Sequence, residues 1–390
     1  MSADATHPPA RHAPRHVALV GTGFVADLYM GSAAAFPDIA VRAAWDRDPD
    51  RLAAFCAHWD VAPAASLDDL LGRTEASDLV LNLTNPHEHA GVSTAILEAG
   101  RHVYSEKPLA MDMGDARRLH ALAGERGLVL ASAPCSVLGE SAQTLWAAVR
   151  GRAAGEALLV YAEMDDGFIG RAPYETWRGA SGSRWPAADE FRVGCTVEHA
   201  GYVVTWLMAI FGPVARVVAA GAELDRVKLD GGPAGAPDYS CATLYFAGGA
   251  VARLTCSILA PHDHALTVTG TEGTLRLAET WDNAAPVRRR RRFRVRRRVF
   301  EGLPRRLRLK GPTHPKVGRT GAASMNFMLG PAEVLDALAA GRRPRLDADF
   351  ALHLNEVTLA IHEAGRGTVR DIGTRFAPMA PMPWAAGDLP

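Results

Sequence analysis

The sequence lacks any apolar run near the roughly 20 residues that a membrane-spanning helix needs. It also lacks cysteines at redox or metal spacing. Its five cysteines, Cys56, Cys135, Cys195, Cys241 and Cys256, are odd in number and widely scattered, which favours reduced thiols, mostly packed in the core, over a disulfide framework. The apolar core of a signal peptide is missing as well. Met1 to Pro14 is rich in Ala, Pro, His and Arg, and residues 1–15 read as a disordered leader on a cytoplasmic protein. Net charge is absent too, with 43 basic against 43 acidic side chains, but this balance sums two unlike parts. Between Pro286 and Thr320 stand 15 Lys and Arg against one acid, Glu301, so the rest of the chain holds 28 basic and 42 acidic residues.

What is present begins with size. The 390 residues, 48% of them hydrophobic, are enough for two domains with a sizeable core. His16 to Val20 reads as a buried strand, followed by Gly21-Thr22-Gly23-Phe24-Val25-Ala26 and a helix to about Ala35. This is G-x-G-x-x-A between a strand and a helix. Gly21 serves the tight turn, Gly23 lets backbone approach a pyrophosphate, and Ala26 keeps the helix close to the sheet. A second strand, Ala40 to Trp45, ends at Asp46, where a carboxylate meets ribose hydroxyls. Its charge favours NAD over NADP as the cofactor. Arg47 beside it is either solvated or placed to stack on adenine or reach a 2′-phosphate.

The next strand, Asp78 to Leu83, delivers Thr84-Asn85-Pro86-His87-Glu88-His89 at a carboxyl edge. His87 and His89 have no acidic or Cys partner at metal spacing, so capping and contact with the cofactor fit better. Another strand then runs through Val103-Tyr104-Ser105 into Glu106-Lys107-Pro108. A lysine at a strand end, beside a carboxylate and ahead of a proline turn, is poorly explained as surface; Lys107 is the expected chemical centre. From about residue 157 strand-like segments follow one another, with a long helix from Glu198 to Phe211 and two late helices, Gly330 to Ala340 and Asp349 to Ala364. The expected fold is α/β plus α+β. Residues 16–135 form a doubly wound parallel Rossmann sheet. Residues 136–370 form a largely antiparallel open sheet with helices on one face, containing the basic insert 286–320, and a tail covers 371–390. An open sheet with one bare face suggests a homodimer or homotetramer.

Taken together, the G-T-G-F-V-A loop, Asp46, T-N-P-H-E-H and S-E-K-P resemble the glucose–fructose oxidoreductase / inositol dehydrogenase / rhizopine-catabolism (Gfo/Idh/MocA) oxidoreductases, from about His16 to about Gly367. The resemblance implies a typically cis proline at Pro108 and a Lys107 that contacts substrate near the nicotinamide and assists proton transfer. The family's D-x-G-x-H signature corresponds to Glu198-His199-Ala200-Gly201-Tyr202, with Glu for Asp, Ala for Gly and Tyr for the final His. The departure speaks against inositol dehydrogenase proper; a tyrosine there occurs in the glucose–fructose oxidoreductase-like branch. Glu198 and Tyr202, four apart on a helix, share a face, whereas His199 is turned about 100° away. Lys107 is expected to lower the Tyr202 pKa by its charge.

The catalytic candidates are therefore Lys107, Tyr202 and Glu198. The cofactor candidates are Gly21, Gly23, Phe24, Val25, Ala26, Asp46, Arg47, Thr84, Asn85, Pro86, His89, Glu106 and Lys107. Trp177, Arg184, Glu198, His199, Tyr202 and Lys107 are the substrate candidates. Pro261-His262-Asp263-His264 reads as a histidine-rich turn, and no metal is assigned. The basic insert fits three readings: a solvated arm on an acidic body, a contact for an anionic polymer or membrane surface, or a holder of a nucleotide-sugar diphosphate. No nucleic-acid motif accompanies it. The leading function is an NAD(P)-dependent oxidoreductase moving hydride between nicotinamide and a hydroxyl or keto carbon of a sugar, nucleotide-sugar or cyclitol. A redox-neutral glycosidase or lyase with tightly held NAD, and an NAD-sensing binding protein, are the alternatives.

Overall fold

The structure, a computed structural model, describes residues 15–229, 232–319, 324–387 and 389. Residues 1–14 of the expected leader lie outside them. Arg15, the last residue of that leader, instead opens the first strand and is ion-paired to Asp38 at 2.6 Å.

The first half alternates strand and helix: β1 (Arg15–Val20), α1 (Phe24–Ala33), β2 (Ile39–Trp45), α2 (Pro49–Trp59), α3 (Leu67–Gly72), β3 (Leu79–Asn82), α4 (His89–Glu98), β4 (His102–Ser105), α5 (Met113–Arg126) and β5 (Leu130–Ser132). The sheet order is β2-β1-β3-β4-β5, all parallel. Local chemistry sets the helix starts. Ser66 Oγ accepts from Asp69 N at 3.0 Å ahead of α3, and Asp112 does the same for Asp115 N at 2.9 Å ahead of α5. Because β1 lies between β2 and β3, chain connections diverge at its carboxyl end and leave a crevice there.

The second half holds α6 (Glu140–Arg150), β6 (Ala157–Asp165), α7 (Ala187–Val193), α8 (Gly201–Phe211), β7 (Val214–Ala222), β8 (Tyr239–Phe246), β9 (Val251–Ser257), β10 (Leu266–Gly270), β11 (Gly273–Leu277), β12 (Arg288–Val295), β13 (Arg298–Glu301), β14 (Arg305–Arg306), α9 (Leu329–Ala339), α10 (Ala348–His362) and β15 (Thr368–Asp371). The sheet runs β13-β12-β11-β10-β6-β9-β8-β7-β15, antiparallel except where β6 meets β9. Helices α8 and α10 pack against each other, and α10 lies on β7 and β8. Away from the helices, Leu158, Tyr161, Val218, Tyr245 and Val369 remain exposed on the sheet strands.

One expectation is corrected. The helix expected to start at Glu198 opens instead with a π-helical turn, Thr196–Ala200, before α8. The wider turn adds a residue to the helical circuit, a device that often re-aims side chains at functional sites. The basic insert forms a hairpin, β12–β13, that extends the sheet edge. Its Phe293 and Phe300 pair across strands with ring centroids 5.9 Å apart.

Candidate active site

The carboxyl ends of β1 to β4 form one wall of a cleft of about 1270 Å³. Gly21 has φ +94°, and a Cβ there would meet the Leu83 carbonyl oxygen at 2.6 Å, so both backbone angle and space demand glycine. Gly23 is the N-cap of α1 and offers no side-chain cap, while nothing lies within 4 Å of where its Cβ would stand. The first amides of α1 are thus free for an anion, and Gly23, Phe24 and Val25 line the cleft. Ala26 is fully buried behind them in the sheet core.

Asp46 ends β2, as expected, but it is not a free carboxylate. Its Oδ2 accepts from Thr22 N at 2.7 Å and Thr22 Oγ1 at 2.9 Å, and Arg51 clamps both oxygens at 2.6 and 2.9 Å. Burial alone would push its pKa up; Arg51 and the Thr22 and Asp48 amides outweigh this and hold it below the usual carboxylate value. Arg47 points outward to Glu88 at 2.8 Å, so the guanidinium beside Asp46 is Arg51.

Asn82 shapes the next turn. Its amide donates to the His89 carbonyl and to Ser93 Oγ, both at 3.0 Å, and its oxygen accepts from Thr84 Oγ1 at 2.6 Å. Thr84, Asn85 and Pro86 then line the cleft. His89, expected to contact the cofactor, also borders the cleft, though its side chain is fully buried. Its ring spans the Thr84 carbonyl at 2.9 Å and the Pro108 carbonyl at 2.7 Å, tying that turn to the next strand end. Glu106 accepts from the Tyr29 hydroxyl at 2.6 Å and from Lys107 N at 3.1 Å, and the Lys107–Pro108 peptide is cis.

Lys107 crosses the cleft floor. Its ammonium donates to Glu198 Oε2 and stands 5.9 Å from the Tyr202 ring centroid. Burial would lower the Lys107 pKa. The Glu198 charge, joined by Tyr202, Glu190 and Glu106, reverses this and holds it above its usual value. Tyr202 behaves opposite to expectation. Lys107 does pull its pKa down, but burial and three carboxylates outweigh that charge, and the phenol sits well above its ordinary value. Glu190, which the sequence did not single out, is pushed up to about 7, first by burial and then by Glu198.

The opposite wall comes from the second sheet and its loops. Trp177 and Arg184 line it from a loop held by aromatic packing, with Trp177 to Trp185 at 5.1 Å and Trp185 to Phe191 at 5.8 Å. Asp27 of α1 latches this loop by accepting from Ser181 N at 3.1 Å and Ser181 Oγ at 2.9 Å. A Cβ on Gly179 would strike the same carboxylate at 2.0 Å. His199, a substrate candidate although helical spacing turns it from Glu198, lines the cleft together with Glu198 and Tyr202, where the chain passes from the π-helical turn into α8. His199 Nδ1 lies 2.7 Å from Asp166 Oδ2. Asp166, His262, Glu279, Trp281 and Arg319 complete the wall. Of these, the sequence singles out His262, and Arg319 as a member of the basic insert 286–320. Asp166 has a local signal, an acidic pair ending a strand before Gly167; Glu279 and Trp281 have none.

Residues 15–133 match the oxidoreductase family with an NAD-binding Rossmann fold (GFO_IDH_MocA), and residues 142–276 match the GFO/IDH/MocA C-terminal domain. The chain belongs to the Gfo/Idh/MocA oxidoreductase family. It is 27% identical over 116 residues to scyllo-inositol 2-dehydrogenase (NADP(+)) IolU of Bacillus subtilis, covering 30% of this chain and 35% of that one. It is 38% identical over 96 residues to dTDP-3,4-didehydro-2,6-dideoxy-alpha-D-glucose 3-reductase of Streptomyces antibioticus, covering 25% and 29%. The chain thus spans about a third of the length of these curated relatives. Its fold is similar to that of the WlbA dehydrogenase from Bordetella pertussis, solved with NADH and UDP-GlcNAcA, with a TM-score of 0.69 at 22% identity over 90% of this chain and 96% of that one. Gfo/Idh/MocA membership accounts for the parallel NAD-binding sheet and the second, mostly antiparallel sheet.

Proposed function

We propose that the protein is an NAD(P)-dependent dehydrogenase or ketoreductase acting on a CH–OH or keto carbon of a sugar, nucleotide-sugar or cyclitol. The single observation behind this reading is the Lys107–Glu198 pair. A lysine on the cofactor edge of the first sheet is bonded to a buried carboxylate of the second, in the same cleft as the open N-terminus of α1. The glycine loop and uncapped α1 fit a dinucleotide pyrophosphate. Asp46 and Arg51 would hold the ribose end, and Asp46 favours NAD. When bound, the nicotinamide supplies hydride chemistry.

The chain's own groups manage the proton. In reduction the keto oxygen lies against the protonated Lys107 and Tyr202, and one of them gives its proton to the forming alkoxide; oxidation is the reverse of that step and starts from the deprotonated form of the same group. With its pKa held high, Tyr202 serves as a neutral donor and stands for the family's final histidine in the variant D-x-G-x-H motif. Glu198 keeps Lys107 charged and aimed. His199, Trp177 and Arg184 contact the sugar from the second wall, and the Trp177–Trp185 edge gives it an apolar ledge.

The exposed apolar residues of the second sheet, Val369 at 61% and Leu158 at 49% among them, support a homodimer or homotetramer through that face. Five unpaired cysteines favour the cytoplasm. Among the described residues no single helix is long and apolar enough to cross a membrane. Incubation of purified protein with NAD and NADP against a panel of sugars, nucleotide-sugars and cyclitols tests the reading. Net growth of reduced nicotinamide absorbance is expected. Substrate cleavage without it would favour the redox-neutral alternative.

A further inference from the structure

The second wall holds a cluster that the proton-handling groups do not use. Backbone pairing builds it. Asp165 N donates to the Asp263 carbonyl at 3.0 Å and Asp263 N to the Asp165 carbonyl at 2.9 Å, joining the end of β6 to the β9–β10 connection. Thr280 N donates to the His264 carbonyl at 3.2 Å and adds the segment after β11. Three remote segments thereby set Asp166, His262, His264 and Glu279 side by side. One donor atom each from Asp166, His262 and His264 lies within 4.8 Å of the others.

Two features separate this cluster from an ordinary hydrogen-bonded turn. The first is the backing of His264. The residue is fully buried, with Nε2 2.8 Å from Asp166 Oδ1 and Nδ1 3.0 Å from Glu279 Oε1. Glu279 is itself fixed by Trp281 N at 2.9 Å. A carboxylate behind the second ring nitrogen orients a ligating imidazole and raises its basicity. The second feature is the depth of Asp166. Its side chain is 4% exposed, and Oδ2 lies 2.7 Å from His199 Nδ1, within ion-pair reach but without hydrogen-bond geometry. A carboxylate this buried is kept only where cations meet it, and His199 meets it from one side.

We propose that Asp166, His262 and His264 bind a divalent transition-metal ion on the substrate side of the cleft, with Glu279 positioning His264. Two imidazoles and a carboxylate suit Zn²⁺, Fe²⁺, Co²⁺ or Mn²⁺ rather than Ca²⁺ or Mg²⁺, which prefer oxygen alone. Binding replaces the present contact of His262 Nε2 with Glu279 Oε2 at 3.0 Å. The His262 side chain is 55% exposed, so the remaining coordination positions open to the cleft. Resting on the polyol reading above, those positions take two neighbouring sugar oxygens and fix which carbon reaches Lys107.

The test uses Co²⁺ as the probe and needs no substrate. Full-length protein is stripped with a chelator and titrated with Co²⁺, following the visible absorption of nitrogen-ligated cobalt and counting bound ion by equilibrium dialysis. One ion per chain is expected. His262→Ala and Glu279→Gln should each weaken binding, Glu279→Gln by roughly 10–100-fold. His262 is exposed, so its variant keeps the fold, and unchanged NADH affinity by fluorescence confirms this. No cobalt uptake by the wild-type protein, or equal affinity in both variants, would overturn the site. Because turnover is not measured, ion binding stands or falls separately from the proposed dehydrogenase activity.

Discussion

The two walls of the cleft treat charge in opposite ways. On the cofactor wall the buried carboxylate is matched: Asp46 has Arg51 on both oxygens, Thr22 on one, and a pKa held down. On the substrate wall Glu190, Glu198, Asp166 and Glu279 share one lysine and three histidines; against burial the histidines hold Asp166 and Glu279 below their ordinary values, whereas Glu190, buried beside Glu198, is pushed up to about 7. The first arrangement is complete before any ligand arrives. The second is crowded with like charge and gains when a cation, a proton or a polyol hydroxyl enters. A wall that only holds a cofactor can be finished in advance; a wall that moves protons keeps groups whose protonation is contested.

The strongest way to break this contrast is to remove the residue that joins the walls. Lys107→Ala should lower kcat by roughly 10²–10⁴-fold, the range for a lost acid–base group, while NADH affinity by fluorescence titration stays within a few-fold. Tyr202→Phe should give a smaller loss of the same kind. If Lys107→Ala kept near-normal turnover, the ion pair would be only a strut between domains.

Damage confined to the finished wall should look different. Gly21→Ala forces a Cβ into the Leu83 carbonyl at a φ of +94°. Loss of roughly 1–3 kcal/mol in stability is expected, by thermal melting, together with weakened NADH binding. Preserved NADH affinity would show that the loop tolerates the shift and that Gly21 does not set the cradle.

Cofactor choice gives a milder test. Asp46→Ser removes the carboxylate that repels a 2′-phosphate and frees Arg51 to meet one. The ratio of kcat/KM for NADP over NAD should rise by about 10-fold or more, near 1.4 kcal/mol per tenfold. An unchanged ratio would mean that Asp46 is a structural partner of Arg51 alone.

The walls also differ in legibility. The cofactor wall is made of consecutive strand ends, so Gly21, Gly23, Asp46, Thr84, Asn85 and Lys107 each carry a local signature of strand, turn and helix. Arg51 carries no such signature, because a salt bridge from the end of β2 to the first turn of α2 leaves no pattern in the sequence. The alternating elements of the first sheet and the clustered strands of the second were readable for the same reason, since periodicity is local. The substrate wall is assembled across distance. Asp166, His264 and Glu279 meet only because three strand ends pair, a fact of topology rather than spacing. The π-helical turn that carries Glu198 and His199 is announced by no residue in Thr196–Ala200. The pKa of Tyr202 runs against the sequence expectation because burial and three carboxylates, none of them adjacent in sequence to Lys107 except Glu106, outweigh the one lysine.

The smallest expected effect addresses the contrast most directly. Glu190 has a folded pKa of about 7 against an ordinary 4.5, so between those values the folded protein binds a proton that the unfolded chain releases. Stability from this group is fully present below about pH 4.5 and is lost as pH rises through about 7. Glu190→Gln keeps the shape and removes the titration. Relative to wild type, its melting temperature should climb between about pH 4.5 and 7 and then level off, a difference on the order of 1–3 kcal/mol. Asp46, with its pKa lowered, has the opposite sign: its contribution is present above its ordinary value of 3.8 and is lost on acidification. Parallel pH–stability curves for wild type and Glu190→Gln would remove the idea that the substrate wall is electrostatically strained. Converging curves at low pH, separating toward neutrality, would place that strain beside Lys107, where a bound substrate can relieve it.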